Sequence, residues 1–566
     1  MGLASLILTV GWPGLSPAQT FDEQFEHWPL QPAIKGRILV DCGVTGTADI
    51  QPALNLLFTG NRVAVLGKPG AGGSAVLLEA AKKRVGDTGG LEEFTIPAAE
   101  REGLPERLGQ YDVVMVPPTG EVDRLTDPQG PWPAALGRLV DQGQTLVVDA
   151  RLATWLGKRV MPPAGTAGPS LPTVGGLNLL PDCILQIGPE PTGEPDRNLL
   201  AALALHPRCV GLQIEGPVLA MLSGRKWVCF GPGQVSAVLP GTRRVPVRFE
   251  SIGPPTGRQD PGQFMLDLTE WRRDAIDRTL DPFPPQNPPP PRVENGSLLI
   301  VGGGGLPAGL MERFVELAGG KDNARLVYIP CSEAGQVDPR RSLVPVWRRM
   351  GVQRATLLHT KDRMQAHTDE EFMQPLKEAT GIWFGGGRQW NFSDSWYGTR
   401  SHRLMKQVLQ RGGVIGGSSA GASVQARYLA RATPIGNFRI MAPGYERGGL
   451  GFIGGVAIDQ HFTQRGRQPD MTSLVDRYPQ LLGIGIDEGT ALFVQQSRAE
   501  VLGDHTVCFY DRNLPRWPDR PDHIALPAGS IYDLVERRII RDTRADEKEP
   551  GPDSGGDQGP AEAGGR

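Results

Sequence analysis

The sequence predicts an α/β fold, an α/β/α sandwich around a mostly parallel sheet, present in two tandem copies. Three observations support this prediction. Short apolar runs alternate with amphipathic stretches, the apolar runs end in glycines, and similar blocks occur in the same order in both halves of the chain. Such alternation favours parallel strands joined by helices that cover both faces of the sheet.

In the second half, four apolar segments are predicted to be buried strands. They are SLLIVGGGG from Ser297, RLVYIPCS from Arg325, GIWFGGG from Gly381 and GVIGGSS from Gly413. Amphipathic stretches between them, such as LMERFVELAG and RLMKQVLQRGG, are predicted to be helices. Ligands of such folds bind at the carboxyl ends of the strands, so we expect the functional site where these glycine turns cluster.

The first half contains blocks that match the second half in order and nearly in spacing. GGLNLLPDCILQIG, HPRCVGLQIEG and the WVCF around Cys229 correspond to GGLGFIGGVAIDQH, YPQLLGIGIDEG and the TVCF around Cys508. Further on, LDLTEWRR from Leu266 corresponds to YDLVERR from Tyr532. Buried strands in general resemble one another, which is the alternative explanation. Four blocks in the same order favour duplication of a whole domain.

The predicted boundaries follow from composition. The first eighteen residues have an apolar stretch and small residues at Ser16-Pro17-Ala18, but no Lys or Arg precedes the stretch, so export and a cytoplasmic location both remain open. The segment DPFPPQNPPPPRVENG is rich in proline and predicts a stiff spacer. The resulting division is a possible signal peptide at 1–18, an N-terminal segment at 19–57, a degenerate domain at 58–280, a linker at 281–296, a catalytic domain at 297–542 and a disordered tail at 543–566.

Composition argues against several classes of protein. The chain has 566 residues with a net charge of -3, and no basic block interleaved with aromatic residues indicates a nucleic-acid partner. No apolar run of about eighteen residues predicts a membrane span. Six cysteines without CxxC spacing indicate neither a zinc site nor a disulfide framework. The glycine-rich segments around Lys68 and Gly302 lack the complete phosphate-loop and dinucleotide patterns, so we expect no metal and no cofactor.

The stretch GGVIGGSSAGASVQ contains three serines, of which Ser419 lies at the centre of a G-x-S-x-G pattern. Such a pattern between a strand and a helix is typical of a nucleophile elbow, although a tight turn is the simpler alternative. The backbone N–H of Ala420 would then face a developing oxyanion. His461, at the end of an apolar strand, is the best placed base among eight histidines, and Asp487 or Glu488 ends the next strand.

These blocks resemble the serine-peptidase family of cyanophycinase and aspartyl dipeptidase, which has GGTSAGAS, DQHF followed by an arginine-rich stretch, and IDE-x-TA. The resemblance covers most of Ser297 to Asp542 and implies a fold related to class I glutamine amidotransferases. It implies Ser419 as nucleophile, His461 as general base and Glu488 as its acidic partner. The FGGGRQ turn resembles the family's FTGGDQ, which implies a second oxyanion N–H from Gly386 or Gly387. The binding-pocket residues that the resemblance implies are Gln389, Asp459, Gln460, Arg465 and Arg467.

The resemblance also implies a substrate, cyanophycin, which has a poly-aspartate backbone with arginine on each β-carboxyl. Two departures put that specificity in doubt, because Arg388 stands where the family has Asp, and Asp470 where cyanophycinases usually have arginine. The alternatives are an exo-dipeptidase that prefers acidic residues and a non-catalytic binding or assembly protein. The first half has Ile187 and Gly188 opposite Gln460 and His461, and Glu215 opposite Asp487, so it is expected to be inactive. Because the family forms homodimers, we expect either a homodimer or a pseudo-dimer within the chain.

Overall fold

The computed structural model describes residues 25–546 except 26–27, 30–32, 45, 58–61, 68–73, 86–89, 163–172, 255–263, 436–438 and 517–518. The possible signal peptide, the glycine segment that starts at Lys68 and the tail from residue 547 lie outside the described residues. Within the described part of the chain, no helix has the length and apolar character needed to cross a membrane. The same residues contain no group of three or more His, Cys, Asp or Glu side chains that could hold a metal ion.

The second half contains a large mixed sheet that includes all four predicted strands, which confirms the predicted α/β class. Successive residues of its central strand face two different hydrophobic cores, because Leu298 and Ile300 pack on one side and Leu299 and Val301 on the other. The strand order across this sheet is Arg354–Leu357, Arg325–Ile329, Gly381–Phe384, Val414–Ser418, Val293–Val301, Thr490–Gln496, Arg498–Gly503, Ile531–Asp533 and Arg538–Arg541.

A second, smaller sheet of this half presents two further strand ends beside the first sheet. Its order is Ala426–Tyr428, Ile453–Gln460, Leu482–Ile486, Thr506–Tyr510 and Ile524–Pro527. The helices of this half are Leu310–Leu317, Gly320–Asn323, Val344–Arg349, Arg363–Thr368, Glu370–Glu378, Trp390–Trp396, Arg400–Gln410, Ala420–Ser423, Gln468–Arg477 and Thr543–Asp546, with single 3₁₀ turns at Pro339–Arg341, Glu446–Gly448 and Thr463–Arg465.

The first half also has two sheets. The larger has the order Leu266–Asp267, Lys226–Phe230, Leu219–Ser223, Arg37–Asp41, Thr145–Asp149, Val113–Val116, Val63–Leu66 and Leu91–Phe94. The smaller has the order Arg248–Ile252, Gln234–Leu239, Val210–Glu215, Cys183–Gly188, Arg159–Val160 and Val174–Gly175. The helices are Thr47–Leu57, Ser74–Val85, Ile96–Arg101, Leu104–Arg107, Val122–Thr126, Trp132–Asp141, Ala150–Ala153, Arg197–Leu205 and Leu268–Asp277, with a 3₁₀ turn at Leu108–Gln110.

The two large sheets have the same strand order when each is followed outward from its first strand. On one side lie the fifth, fourth, second and third strands of that half, all parallel to their neighbours. On the other side lie strands that pair antiparallel. The small sheets agree in register too, because Cys183 pairs with Val210 where the aligned Val456 pairs with Leu482.

Two predicted boundaries need correction. Residues 19–57 were separated from the first domain, but the strand Arg37–Asp41 lies in the middle of its large sheet, so that unit starts before residue 58. The predicted linker 281–296 ends earlier than expected, because the central strand Val293–Val301 begins inside it. Both errors have the same physical origin, since pairing with neighbouring strands in the sheet, and not local composition alone, sets where a strand lies.

Candidate active site

Ser419 lies on a sharp turn between the strand Val414–Ser418 and the short helix Ala420–Ser423. Its backbone has φ 57° and ψ -114°, a conformation that non-glycine residues rarely adopt. The turn requires a small residue two positions later, because a Cβ added at Gly421 would lie 2.1 Å from the Phe384 carbonyl oxygen. Ser419 is partly exposed, whereas Ser423 is fully buried. The geometry is that of the predicted elbow.

His461 directly follows the strand Ile453–Gln460 and contacts two of the predicted residues. Its Nε2 lies 2.9 Å from Ser419 Oγ, and its Nδ1 lies 2.5 Å from Glu488 Oε1. Its backbone N–H donates to the Gly302 carbonyl at 2.8 Å, which ties this residue to the end of the central strand. Residues from three separate strand ends therefore form one chain of hydrogen bonds, although Ser419 and His461 are 42 positions apart.

Burial lowers the pKa of His461 below its usual 6.5, the hydrogen bond to Glu488 raises it, and the positive charge of Arg465 lowers it further. The net effect keeps the imidazole neutral at neutral pH. A neutral imidazole can accept a proton from a serine hydroxyl, as a general base must.

Asp487 and Glu488 were both candidates for the acidic partner, and they occupy different environments. Glu488 contacts His461, as described above. Asp487 is buried, and its two carboxylate oxygens accept hydrogen bonds from the backbone N–H and hydroxyl groups of Thr463 and Thr506 at 2.7 to 3.3 Å. Asp487 therefore connects two loops beside the site, and Glu488 is the carboxylate that can orient the imidazole.

Two glycines of the segment IVGGGG, which the sequence pattern marks only as a turn, allow this arrangement. A Cβ added at Gly303 would lie 2.2 Å from Cε1 of His461, and one at Gly304 would lie 2.5 Å from Cβ of Glu488. The imidazole and the carboxylate thus pack directly against glycine backbone. The run of glycines after the first strand of the half was the available signal.

Two of the predicted oxyanion donors, Ala420 and Gly386, lie next to Ser419. Ala420 occupies the first position of its helix, where a backbone N–H has no partner inside the helix. Gly386 belongs to the turn after the strand Gly381–Phe384, and a Cβ added there would lie 3.5 Å from Cβ of Ser419. Gly386 and Gly387 are both exposed, so their side of the serine is open to solvent.

The predicted binding residues fall into a buried network and one exposed cation. Arg467 Nη1 donates to Asp459 Oδ1 at 2.9 Å and to the side-chain oxygen of Gln460 at 2.9 Å, and all three residues are buried. Gln389 is also buried and donates to the Ala430 carbonyl at 2.9 Å. Arg465 is exposed.

Arg431, which no sequence motif marked as a binding residue, joins this network. Its Nε donates to Asp459 Oδ2 at 2.7 Å, and its Nη2 donates to Asp470 Oδ2 at 2.6 Å. Arg431 is buried, while the side chain of Asp470 is 51% exposed. The carboxylate at position 470 is therefore partly neutralised by a guanidinium from a loop with no motif of its own.

A serine, a histidine and a carboxylate in a chain of hydrogen bonds, at strand ends of a mixed α/β fold, form the arrangement of a serine-type hydrolase. Residues 298–502 match the model of peptidase family S51. A cyanophycinase from Geminocystis herdmanii (strain PCC 6308) is 31% identical over 204 residues, which are 36% of this chain and 74% of that protein. The chain belongs to peptidase family S51 and is a serine-type peptidase.

Other similar proteins include a second cyanophycinase and two solved structures. A cyanophycinase from Synechococcus elongatus is 31% identical over 209 residues, 36% of this chain and 63% of that protein. Among solved structures, a peptidase from an acI-B1 Actinobacterium is 26% identical with a TM-score of 0.32, covering 43% of this chain and 98% of its own. A putative peptidase E protein from Listeria monocytogenes EGD-e is 13% identical with a TM-score of 0.29, and the match covers 37% of this chain and 98% of that protein.

Proposed function

We propose that this serine peptidase uses Ser419, His461 and Glu488 as a catalytic triad and cleaves cyanophycin or related β-aspartyl-arginine peptides. The observation that carries the proposal is the pair of contacts made by His461, at 2.9 Å to the serine oxygen and 2.5 Å to the carboxylate. A histidine between a hydroxyl and a carboxylate can take the hydroxyl proton. The carboxylate fixes the tautomer of the imidazole and stabilises the imidazolium that forms.

The proposed reaction proceeds through a covalent acyl-enzyme. Ser419 Oγ attacks the scissile carbonyl carbon while His461 Nε2 takes the hydroxyl proton. The N–H groups of Ala420 and of Gly386 or Gly387 stabilise the oxyanion that forms. Collapse of this intermediate breaks the C–N bond, and the imidazolium gives its proton to the leaving amine. Water, deprotonated by His461, then attacks the ester and restores the serine.

The substrate class is supported by the charges around the triad. Arg465 is exposed, and its backbone N–H donates to the His461 carbonyl oxygen at 3.2 Å, so we expect its guanidinium to bind a substrate carboxylate near the serine. Arginine suits this task because its planar guanidinium binds both oxygens of a carboxylate. Four of the predicted binding residues are buried, so they would support the wall of the pocket and not contact solvent. They are Asp459, Gln460, Arg467 and Gln389.

The test measures hydrolysis and labelling together. Purified protein is incubated with insoluble cyanophycin, and the released dipeptide is quantified for wild type, Ser419→Ala and the matched control Ser418→Ala. Wild type and Ser418→Ala should release dipeptide and react with a fluorophosphonate probe, and Ser419→Ala should do neither. Release of aspartate from Asp-X dipeptides with no action on the polymer would favour the exo-dipeptidase instead. Neither hydrolysis nor labelling of folded wild type would favour a binding or assembly protein.

We further propose that the first half is a degenerate copy of the second and forms a pseudo-dimer with it inside one chain. The shared strand order and register support this proposal. Where the second half has the elbow, the first has the strand Thr145–Asp149 followed by the helix Ala150–Ala153, so it keeps the order of strand and helix but has neither the serine nor the positive φ, since Asp149 has φ -78°. A monomeric mass with one compact scattering envelope is expected. Two separately moving lobes would contradict the pseudo-dimer.

A further inference from the structure

A buried cluster of charges joins the two halves of the chain. Asp394, from the second half, is 1% exposed and is approached by two arginines from the first half. Arg225 Nη1 donates to Asp394 Oδ2 at 2.5 Å, and Arg273 Nη2 lies 2.6 Å from Asp394 Oδ1. Arg225 also binds Asp267 with two hydrogen bonds, at 2.5 and 2.7 Å. Each half therefore contributes charges that the other must neutralise.

The carboxylate at the centre of this cluster is ionised. Burial alone would raise the pKa of Asp394, but the charges of Arg273 and Arg225 outweigh burial and hold it below its usual 3.8. Tyr445 adds a hydrogen bond from its hydroxyl to Asp394 Oδ1 at 3.0 Å. Removing one partner of such a buried pair leaves an uncompensated charge, so the segment that carries Asp394 is held firmly while the cluster is complete.

That segment leads directly into the catalytic centre. Asp394 lies on the helix Trp390–Trp396, which starts immediately after the turn containing Gly386 and Gly387. The guanidinium of Arg225 lies over the Trp390 ring, 4.4 Å from its centroid. Arg225 therefore contacts the helix at Trp390 and at Asp394, which are one turn apart. Within the turn, the Arg388 carbonyl accepts hydrogen bonds from Asn391 Nδ2 at 3.1 Å and Cys331 Sγ at 2.8 Å. The helix thus fixes where the turn lies beside Ser419.

We propose that Arg225 is a positioning residue for catalysis, through which the first half of the chain holds the helix Trp390–Trp396 and the oxyanion turn in their active arrangement. This inference rests on the proposed function, because it gives the turn an oxyanion role. The first half then acts as a built-in partner that the peptidase needs for turnover.

The decisive comparison is Arg225→Met against the matched control Arg248→Met. Arg248 is as buried as Arg225, with side-chain exposures of 11% and 10%, but its carboxylate partners Glu250, Glu270 and Asp274 all lie in the first half. A displaced oxyanion donor weakens only the transition state, so Arg225→Met should lower kcat about ten- to a hundredfold with little change in KM. Arg225→Lys, which keeps the charge facing Asp394, should recover much of the loss. Arg248→Met should keep kcat even where its thermal unfolding midpoint falls equally.

Amide hydrogen exchange provides a readout that does not need activity. Residues 385–396 should exchange faster in Arg225→Met than in wild type or Arg248→Met. If Arg225→Met does not fold, the isosteric Asp394→Asn replaces it with the same expectations. The inference is overturned if a folded Arg225→Met or Asp394→Asn variant shows unchanged kcat and unchanged amide exchange. It is also overturned if Arg248→Met loses kcat equally. If wild type hydrolyses nothing, the proposed function fails, while the exchange comparison still decides whether Arg225 orders the turn.

Discussion

Adjacent carboxylates with different roles give the sharpest prediction, made with the isosteric pair Glu488→Gln and Asp487→Asn. In Glu488→Gln the partner of His461 Nδ1 loses its negative charge, and the imidazolium formed during acylation loses its stabilisation. Loss of the acidic member of a triad lowers kcat by about 10⁴ to 3 × 10⁴. We expect that range for Glu488→Gln, with a thermal unfolding midpoint close to wild type because the side chain is 35% exposed.

Asp487→Asn should have the opposite effect, a loss of stability with little loss of kcat. One carboxylate oxygen becomes an NH₂ group, which faces either the backbone N–H of Thr463 or that of Thr506 and can accept from neither. A buried donor left without an acceptor costs about 1–3 kcal/mol, and because the backbone N–H groups concerned are only partly buried, the free energy of unfolding should fall by about 1 kcal/mol. The effect on kcat should be small by comparison, since no atom of Asp487 contacts His461 in the described hydrogen bonds.

The assay pairs steady-state kinetics on one peptide substrate with thermal unfolding of both variants. The reasoning is refuted if Asp487→Asn loses kcat by a thousandfold at an unchanged midpoint while Glu488→Gln stays active. Equal losses of kcat in both variants would also refute it, because the carboxylates would then act as one unit.

Three further predictions concern the same site. In Arg465→Gln, loss of a positive charge raises the pKa of His461, so the acid limb of kcat/KM against pH should move to higher pH. In Gly303→Ala, the added Cβ displaces the imidazole, and kcat should fall at least about a hundredfold in a peptide-hydrolysis assay. In Asp470→Asn, the negative charge beside Arg431 is removed and the site becomes more positive, so KM for acidic peptides should fall by about two- to fivefold.

Matched controls accompany these variants. Arg62→Gln is the control for Arg465→Gln, because it removes an exposed arginine of the first half. It should leave the dependence of kcat/KM on pH unchanged. Gly335→Ala adds a Cβ that meets nothing within 4 Å and should keep wild-type kcat. Each explanation is contradicted by one result. These results are an acid limb that moves to lower pH in Arg465→Gln, full activity in Gly303→Ala, and a raised KM in Asp470→Asn.

The parts of the fold that the sequence predicted are those with local signals. Apolar runs that end in glycine predicted four parallel strands, because a strand buried on both faces needs apolar side chains throughout and its turn needs small residues. The same logic predicted that the candidate site residues lie at strand ends. These signals act over a few residues, so they could be recognised in one chain.

Other features had no local signal. Arg225 and Asp394 are 169 positions apart, and neither lies in a motif, so their pairing depends entirely on how the halves pack. Arg431 lies in an irregular loop, and its partners come from a strand end and a helix. The strand Arg37–Asp41 is only five residues long and becomes recognisable through its neighbours in the sheet.

The first half supplies an internal comparison that separates structural from chemical roles. Under the proposed duplication, Glu215 corresponds to Asp487, and it too is buried and fully engaged, accepting from Thr192 at 3.0 and 3.2 Å and from Gln234 at 3.0 Å. Gly188 and Gly216 stand in the first half where the second has His461 and Glu488. A carboxylate that ties loops together is needed in both halves, because each must satisfy the donors around the same strand end. The imidazole and the second carboxylate satisfy no such requirement, so their presence in the second half alone supports the proposed chemistry at Ser419.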